Sequence, residues 1–222
     1  MARKILKKES RERSVPSLQR KLGKRSQNPR VLIVCEGSKT EPYYFRALQD
    51  ELKLISVRIC ASDFGTDPMS VVRFALSEWD KDGYDRDYDR MYCVFDKDSH
   101  ETYQEALKKI NFENKQNKLP IYGVPSVPCF EYWIFLHFEN RAAPYRQKGK
   151  KSAGDQLVSY LNKNHIEGYE KGDKDIFKKI KPYLRQAITR AKKIDIQQSK
   201  AGADNPSTKV YELVEYLISI AQ

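Results

Sequence analysis

Residues 30–45 read RVLIVCEGSKTEPYYF. Five apolar residues, Val31 to Cys35, run into Glu36 and Gly37, and a second acid, Glu41, follows shortly. A short apolar run closed by a turn residue reads as a buried strand. The next stretch, residues 40–54, carries a helical period, with Tyr44, Leu48 and Leu52 spaced by four and Pro42 suited to the first turn. The chain therefore opens strand–turn–helix, with a carboxylate at the turn. Open α/β sheets bind their ligands at the carboxyl ends of strands. Glu36 is then either a solvated loop residue, as acids in surface turns commonly are, or a group placed to hold a cation or move a proton.

The same strand–helix unit recurs along the chain. SVRICA (56–61) reads as a second strand, and residues 70–79 as a helix with Thr66 or Asp67 as its cap. A polar turn over 80–90 leads to RMYCVF (90–95), a third strand running straight into DKDSH (96–100). A helix from about 100 to 114 precedes LPIYGVPS (119–126), a fourth strand. This alternation predicts an α/β fold built on a mainly parallel sheet with right-handed crossovers, flanked by helices. Beyond Pro128, CFEYWIFLHF (129–138) reads as a buried helix against the sheet, with Phe130, Trp133 and Phe135 in the core. Residues 141–151 read as a basic loop. Everything after it reads as helical, with Ser207 or Thr208 capping a last helix. Three parts result: a basic N-terminal arm (1–29), an α/β core (30–140) and a helical C-terminal region (141–222).

The net charge of +11 on 222 residues is unevenly spread. Residues 1–30 hold 11 Lys and Arg against 2 acids, residues 31–140 hold 13 against 19, and residues 141–200 hold 16 against 6. Segregated blocks of this kind suit a protein that grips a phosphate backbone with one part and cations with another, so nucleic acid is the expected partner. The candidate phosphate contacts are Arg146, Lys148, Lys150, Lys151, Lys178, Lys179, Lys181, Arg185, Arg190, Lys192, Lys193 and Lys209. No apolar run approaches the ~20 residues that cross a bilayer, and the N-terminus lacks the apolar stretch of a secretory signal. Cys35, Cys60, Cys93 and Cys129 form no CxxC pair and read as buried small hydrophobes. A cytoplasmic protein without a membrane partner is the expectation; self-association stays open.

The acids carry the chemistry. Glu36 ends one strand, and Asp96 and Asp98 end another; neighbouring strands lie ~4.8 Å apart. In an extended D-x-D segment the i and i+2 side chains share a side. Carboxylates this close repel and raise one another's pKa, which a divalent cation relieves. Mg²⁺ (or Mn²⁺) fits an oxygen donor set of this kind. Glu131 follows the fourth strand closely enough to join them, and a buried acid there needs a cation or a donor. Lys39 could bind phosphate, and His100 could shuttle a proton or support a ligand. Glu41 is expected to cap the first helix rather than reach back to the metal. Glu131 and His137, six residues apart, fall on different helix faces and are not expected to share an ion.

The blocks CEGSKTEPYYF (35–45), DKDSH (96–100), PCFEYWIFLH (128–137) and NPSTKVYELV (205–214) resemble the RloB-like family. The first two also resemble the Toprim core of topoisomerases, bacterial primases and OLD-family nucleases. That resemblance implies metal-dependent phosphotransfer, with Glu36 as acid/base or ligand and Asp96 and Asp98 as ligands. It also implies a setting in bacterial restriction or phage-defence loci beside a partner ATPase. With no DNA gate and no zinc-binding cysteines, a nuclease is the leading expectation. The alternative is a non-catalytic nucleic-acid-binding or partner-docking module on a degenerate Toprim scaffold.

Overall fold

The computed structural model describes residues 28–81, 88–98 and 100–221; residues 1–27 of the expected basic arm lie outside them. The elements, in chain order, are β1 (Val31–Cys35), α1 (Thr40–Leu52), β2 (Val57–Ala61), α2 (Pro68–Asp80), β3 (Arg90–Asp96), α3 (Tyr103–Lys115) and β4 (Ile121–Val127). After them come α4 (Glu131–Phe135), α5 (Ala153–Asn164), α6 (Ile176–Ile180), a 3-10 turn (Lys181–Tyr183), α7 (Leu184–Ala201), β5 (Ser207–Thr208) and α8 (Val210–Ile220). The sheet order is β2-β1-β3-β4-β5. The first four strands are parallel, and β5 runs antiparallel to β4. Chain order reverses between β1 and β3, so this sheet has its topological switch point there.

Every residue of β1 is fully buried because both sheet faces are covered. Leu32 and Val34 point into one cluster with Met91, Cys93 and Phe95 and with apolar residues of α2 and α3. Val31, Ile33 and Cys35 point into the other, with α1, Trp133, Leu157, Phe177, Ile194 and Leu213. The C-terminal helices thus share one core with the first strand. Asp67 caps α2 as expected, its side chain accepting from the N–H groups of Met69 and Ser70.

Two expectations need correction. The region after residue 151 is not wholly helical. Ser207 and Thr208 form β5 on the open edge of β4, where Thr208 Oγ1 lies 2.9 Å from Ser126 Oγ and Lys209 N–H donates to Pro125 O. The exposed backbone of β4 recruits these residues, and α8 begins only at Val210, after Lys209. The buried stretch 129–138 holds only five α-helical residues, with Leu136 and His137 buried in the turns that follow.

Candidate active site

The turn after β1 lays Glu36 across the switch point. Its N–H continues the ladder to Val94 O (2.9 Å), while its Oε2 accepts from the N–H of Asp96 (3.0 Å). Its Oε1 lies 3.0 Å from His100 Nε2. Asp96 ends β3, paired with Ser126 of β4. Beyond it Lys97 points to Asp204 (2.7 Å), and Asp98 sits in the left-handed region at φ +29, its N–H donating to Pro128 O (3.0 Å). Glu131 opens α4 with 2% of its side chain exposed, and its Oε2 accepts no hydrogen bond; the Lys171 ammonium is 3.5 Å away.

These groups line one open pocket of about 330 Å³ together with Gly37, Ser38, Lys39, Thr40, Glu41 and Thr66. Glu36, Asp96, Asp98, Glu131, Lys39 and His100 therefore line the same pocket. Glu41 joins them. It lies in the first turn of α1, buried, and faces the acids. Its expected role as a plain helix cap gives way to a place in the cluster. Lys171 also joins, from the loop after α5, and nothing in its local sequence marks it.

The charges are under strain. Burial, then the charges of Glu41, Glu131 and Glu36, push the Asp96 carboxyl well above its usual range. Burial, with Glu131 and Glu36 adding to it, raises Glu41 to about 7. Burial also raises Glu36, against the Asp96 N–H and His100, which favour its ionised form. Burial works against the charge of Lys171, but Glu131, Cys129 and Asp96 outweigh it and hold the ammonium protonated. Oxygen donors massed around an unsatisfied, buried Glu131 oxygen fit a hard divalent cation.

A family model described as RloB-like protein matches residues 31–217. The chain belongs to the RloB-like protein family. No curated protein and no solved structure matches it.

The basic residues of this RloB-like chain are dispersed. Arg146 shares a neighbouring groove with Asp98 and Lys97, and Lys148, Lys150 and Lys151 are exposed on the same loop, where Lys148 and Lys151 pair through their backbones. Lys178 and Lys179 pair with Asp175 and Asp173, and Lys181 with Glu51. Arg185, Lys192 and Lys193 line a separate groove between α7 and α8, with Lys192 on Glu215. Arg190 donates to Leu136 O (2.8 Å), and Lys209 pairs with Asp195 and Glu212 while lining a third groove. Among the described residues, no helix is long and apolar enough to cross a membrane.

Proposed function

We propose that this chain is a divalent-metal-dependent nuclease, hydrolysing a phosphodiester bond of DNA or RNA. Its setting would be a bacterial phage-defence or restriction-linked system with a partner ATPase, as the family resemblance implies. The observation that carries the reading is the convergence of Glu36, Glu41, Asp96, Asp98 and Glu131 on one pocket at the switch point. A pure phosphate binder gains nothing from five gathered carboxylates. Glu36, Asp96, Asp98 and Glu131 would hold Mg²⁺ or Mn²⁺, which when bound supplies charge stabilisation at a phosphate oxygen and a water of lowered pKa. Glu36 Oε1 touches His100 Nε2, so a proton taken at Glu36 has a path to the partly exposed imidazole. Lys39 and Lys171, which line the pocket, would offer ammonium groups to phosphate oxygens. Arg146 and the exposed Lys148, Lys150 and Lys151 would guide the strand toward Asp98.

The test is cleavage of labelled DNA and RNA by the purified chain with Mg²⁺ or Mn²⁺, alone and with any ATPase found encoded beside it. Wild type should yield product that EDTA abolishes, and Asp96→Asn should bind nucleic acid but yield none. Full activity of Asp96→Asn overturns the mechanism. One observation favours a non-catalytic binding module instead: Lys171 and His100 already offer positive or proton-donating partners to Glu131 and Glu36. Unchanged nucleic-acid binding with no product under any cation would support it.

A further inference from the structure

We propose that Cys129 is a ligand of the cation site, so that the site takes borderline cations such as Zn²⁺ through sulfur as well as oxygen. The proposal rests on the reading of the surrounding carboxylates as a cation site, and it names a donor that the carboxylates alone do not supply. The ligand atoms of Asp96, Cys129 and Glu131 all lie within 4.8 Å of one another. Three ligands about 2.0–2.3 Å from one ion lie at most about 4 Å from one another, so a closure of no more than about 1 Å brings all three onto it. Glu131 Oε2, buried and without a hydrogen bond, has the Lys171 ammonium no closer than 3.5 Å, which leaves a place for a nearer positive partner.

The thiol is held in place. Cys129 lies two residues past β4, its carbonyl accepts the Tyr132 N–H (3.0 Å), and the carbonyl of the preceding Pro128 accepts the Asp98 N–H (3.0 Å). On its far side lies Gly154 of α5; a Cβ built there would meet the sulfur at 3.5 Å, in ordinary contact. The sulfur is therefore walled by α5 on one side and sits among carboxylates on the other. Cys93 makes the contrast: it is buried among Leu32, Val34 and Phe95 on the opposite sheet face. Mg²⁺ takes oxygen and gains nothing from Cys129, whereas thiolate ligation favours softer ions. Coordination exchanges the thiol S–H for a sulfur–metal bond and releases the proton to solvent.

Cd²⁺ serves as the probe, since thiolate ligation gives it an ultraviolet charge-transfer band that oxygen ligation does not. Wild-type protein titrated with Cd²⁺ should develop the band, and Cys129→Ser should lose it while Cys35→Ser and Cys93→Ser keep it. Cys129→Ser should lower Cd²⁺ affinity about tenfold or more and leave Mg²⁺ affinity within about threefold. Should Cys129→Ser fold poorly, X-ray absorption at the cadmium edge of wild type should show sulfur beside oxygen; an oxygen-only shell overturns the proposal. No band in wild type, with Mg²⁺ or Mn²⁺ still raising the melting temperature, removes Cys129 and leaves the carboxylate site standing. A band that persists in Cys129→Ser assigns the sulfur to another cysteine and overturns it too. No band and no stabilisation by any cation removes both this proposal and the cation site beneath it.

Discussion

Glu78 and Glu131 each keep only 2% of their side chain exposed, yet the protein surrounds them in opposite ways. Glu78, on α2, accepts from Arg58 of β2 and from Lys81, and Arg58 also donates to Tyr88 (3.1 Å). Burial works against its charge, but those hydrogen bonds outweigh it and hold its pKa below the usual range. Glu131 has an oxygen with no donor, the acids Glu41 and Asp96 for neighbours and the Lys171 ammonium at 3.5 Å. A buried carboxylate with its donors in place is part of the scaffold. One kept short of donors among like charges is what the proposed cation site requires.

The sharpest break of this contrast comes from Asp96→Asn. Cleavage should fall by at least about a hundredfold, as when a group that stabilises developing charge is removed. Without metal its melting temperature should stay at or above wild type, because one charge leaves a repelling cluster. A sharp fall without metal would make Asp96 a structural hydrogen-bond acceptor and erase the distinction from Glu78.

The next effect is a difference in sign. Arg58→Met strips a donor from buried Glu78 and should destabilise the fold by about 2 kcal/mol in chemical denaturation. Glu131→Gln, measured with EDTA, should be neutral or stabilising by up to about 1 kcal/mol, since it removes a poorly compensated charge. If both variants lose stability alike, Glu131 is a scaffold group too.

The acids around Glu131 should also respond to pH. Glu41 has its carboxyl raised from an ordinary 4.5 to about 7 in the fold, so the folded state binds its proton more tightly than the unfolded chain does. That contribution is fully present below about pH 4.5 and is lost as pH rises through 7. Asp96 and Glu36 shift in the same direction. Metal-free protein should therefore lose melting temperature between pH 5 and 8, and Glu41→Gln should flatten that slope. His137 works the other way. Burial lowers it to about 3, with only Trp133 O at Nδ1 and no partner at Nε2, so it costs stability as pH falls below about 6.5. A slope in Glu41→Gln equal to that of wild type would place the titration elsewhere.

Much of this contrast is written in the chain, and the remainder is not, for physical reasons. Val31 to Cys35 announces a strand because both its faces are buried, and Asp67 announces a cap because its side chain is short and polar at a helix start. Glu36, Asp96, Asp98 and Glu131 could be placed because each ends or closely follows a strand. Glu41 misled because an acid in the first helical turn looks the same whether it faces solvent or a pocket. Lys171 arrives from 130 residues beyond Glu41 and has no local pattern. Cys129 reads as one more small apolar residue until its carboxylate neighbours are seen. The strand β5 is two residues long, too short for any alternation to register.

The smallest expected effect concerns Gly37, the residue that follows the first acid. Its φ is not among the left-handed ones, so the backbone itself does not demand glycine. Space does: a Cβ there would lie 2.5 Å from Glu41 Oε2. The obstructing atom is the far end of a flexible side chain, so in Gly37→Ala the Glu41 carboxylate can swing away with little disturbance of the fold. Stability should change by no more than about 0.5 kcal/mol. Divalent-cation affinity should nevertheless fall by roughly threefold to tenfold, because a donor near the site has been displaced. Calorimetric titration with Mn²⁺, beside a denaturant melt of the same sample, separates the two effects. A large loss of stability would show that the turn needs glycine for its own sake. An unchanged Mn²⁺ affinity would show that Glu41 contributes only charge to the cluster and does not touch the ion.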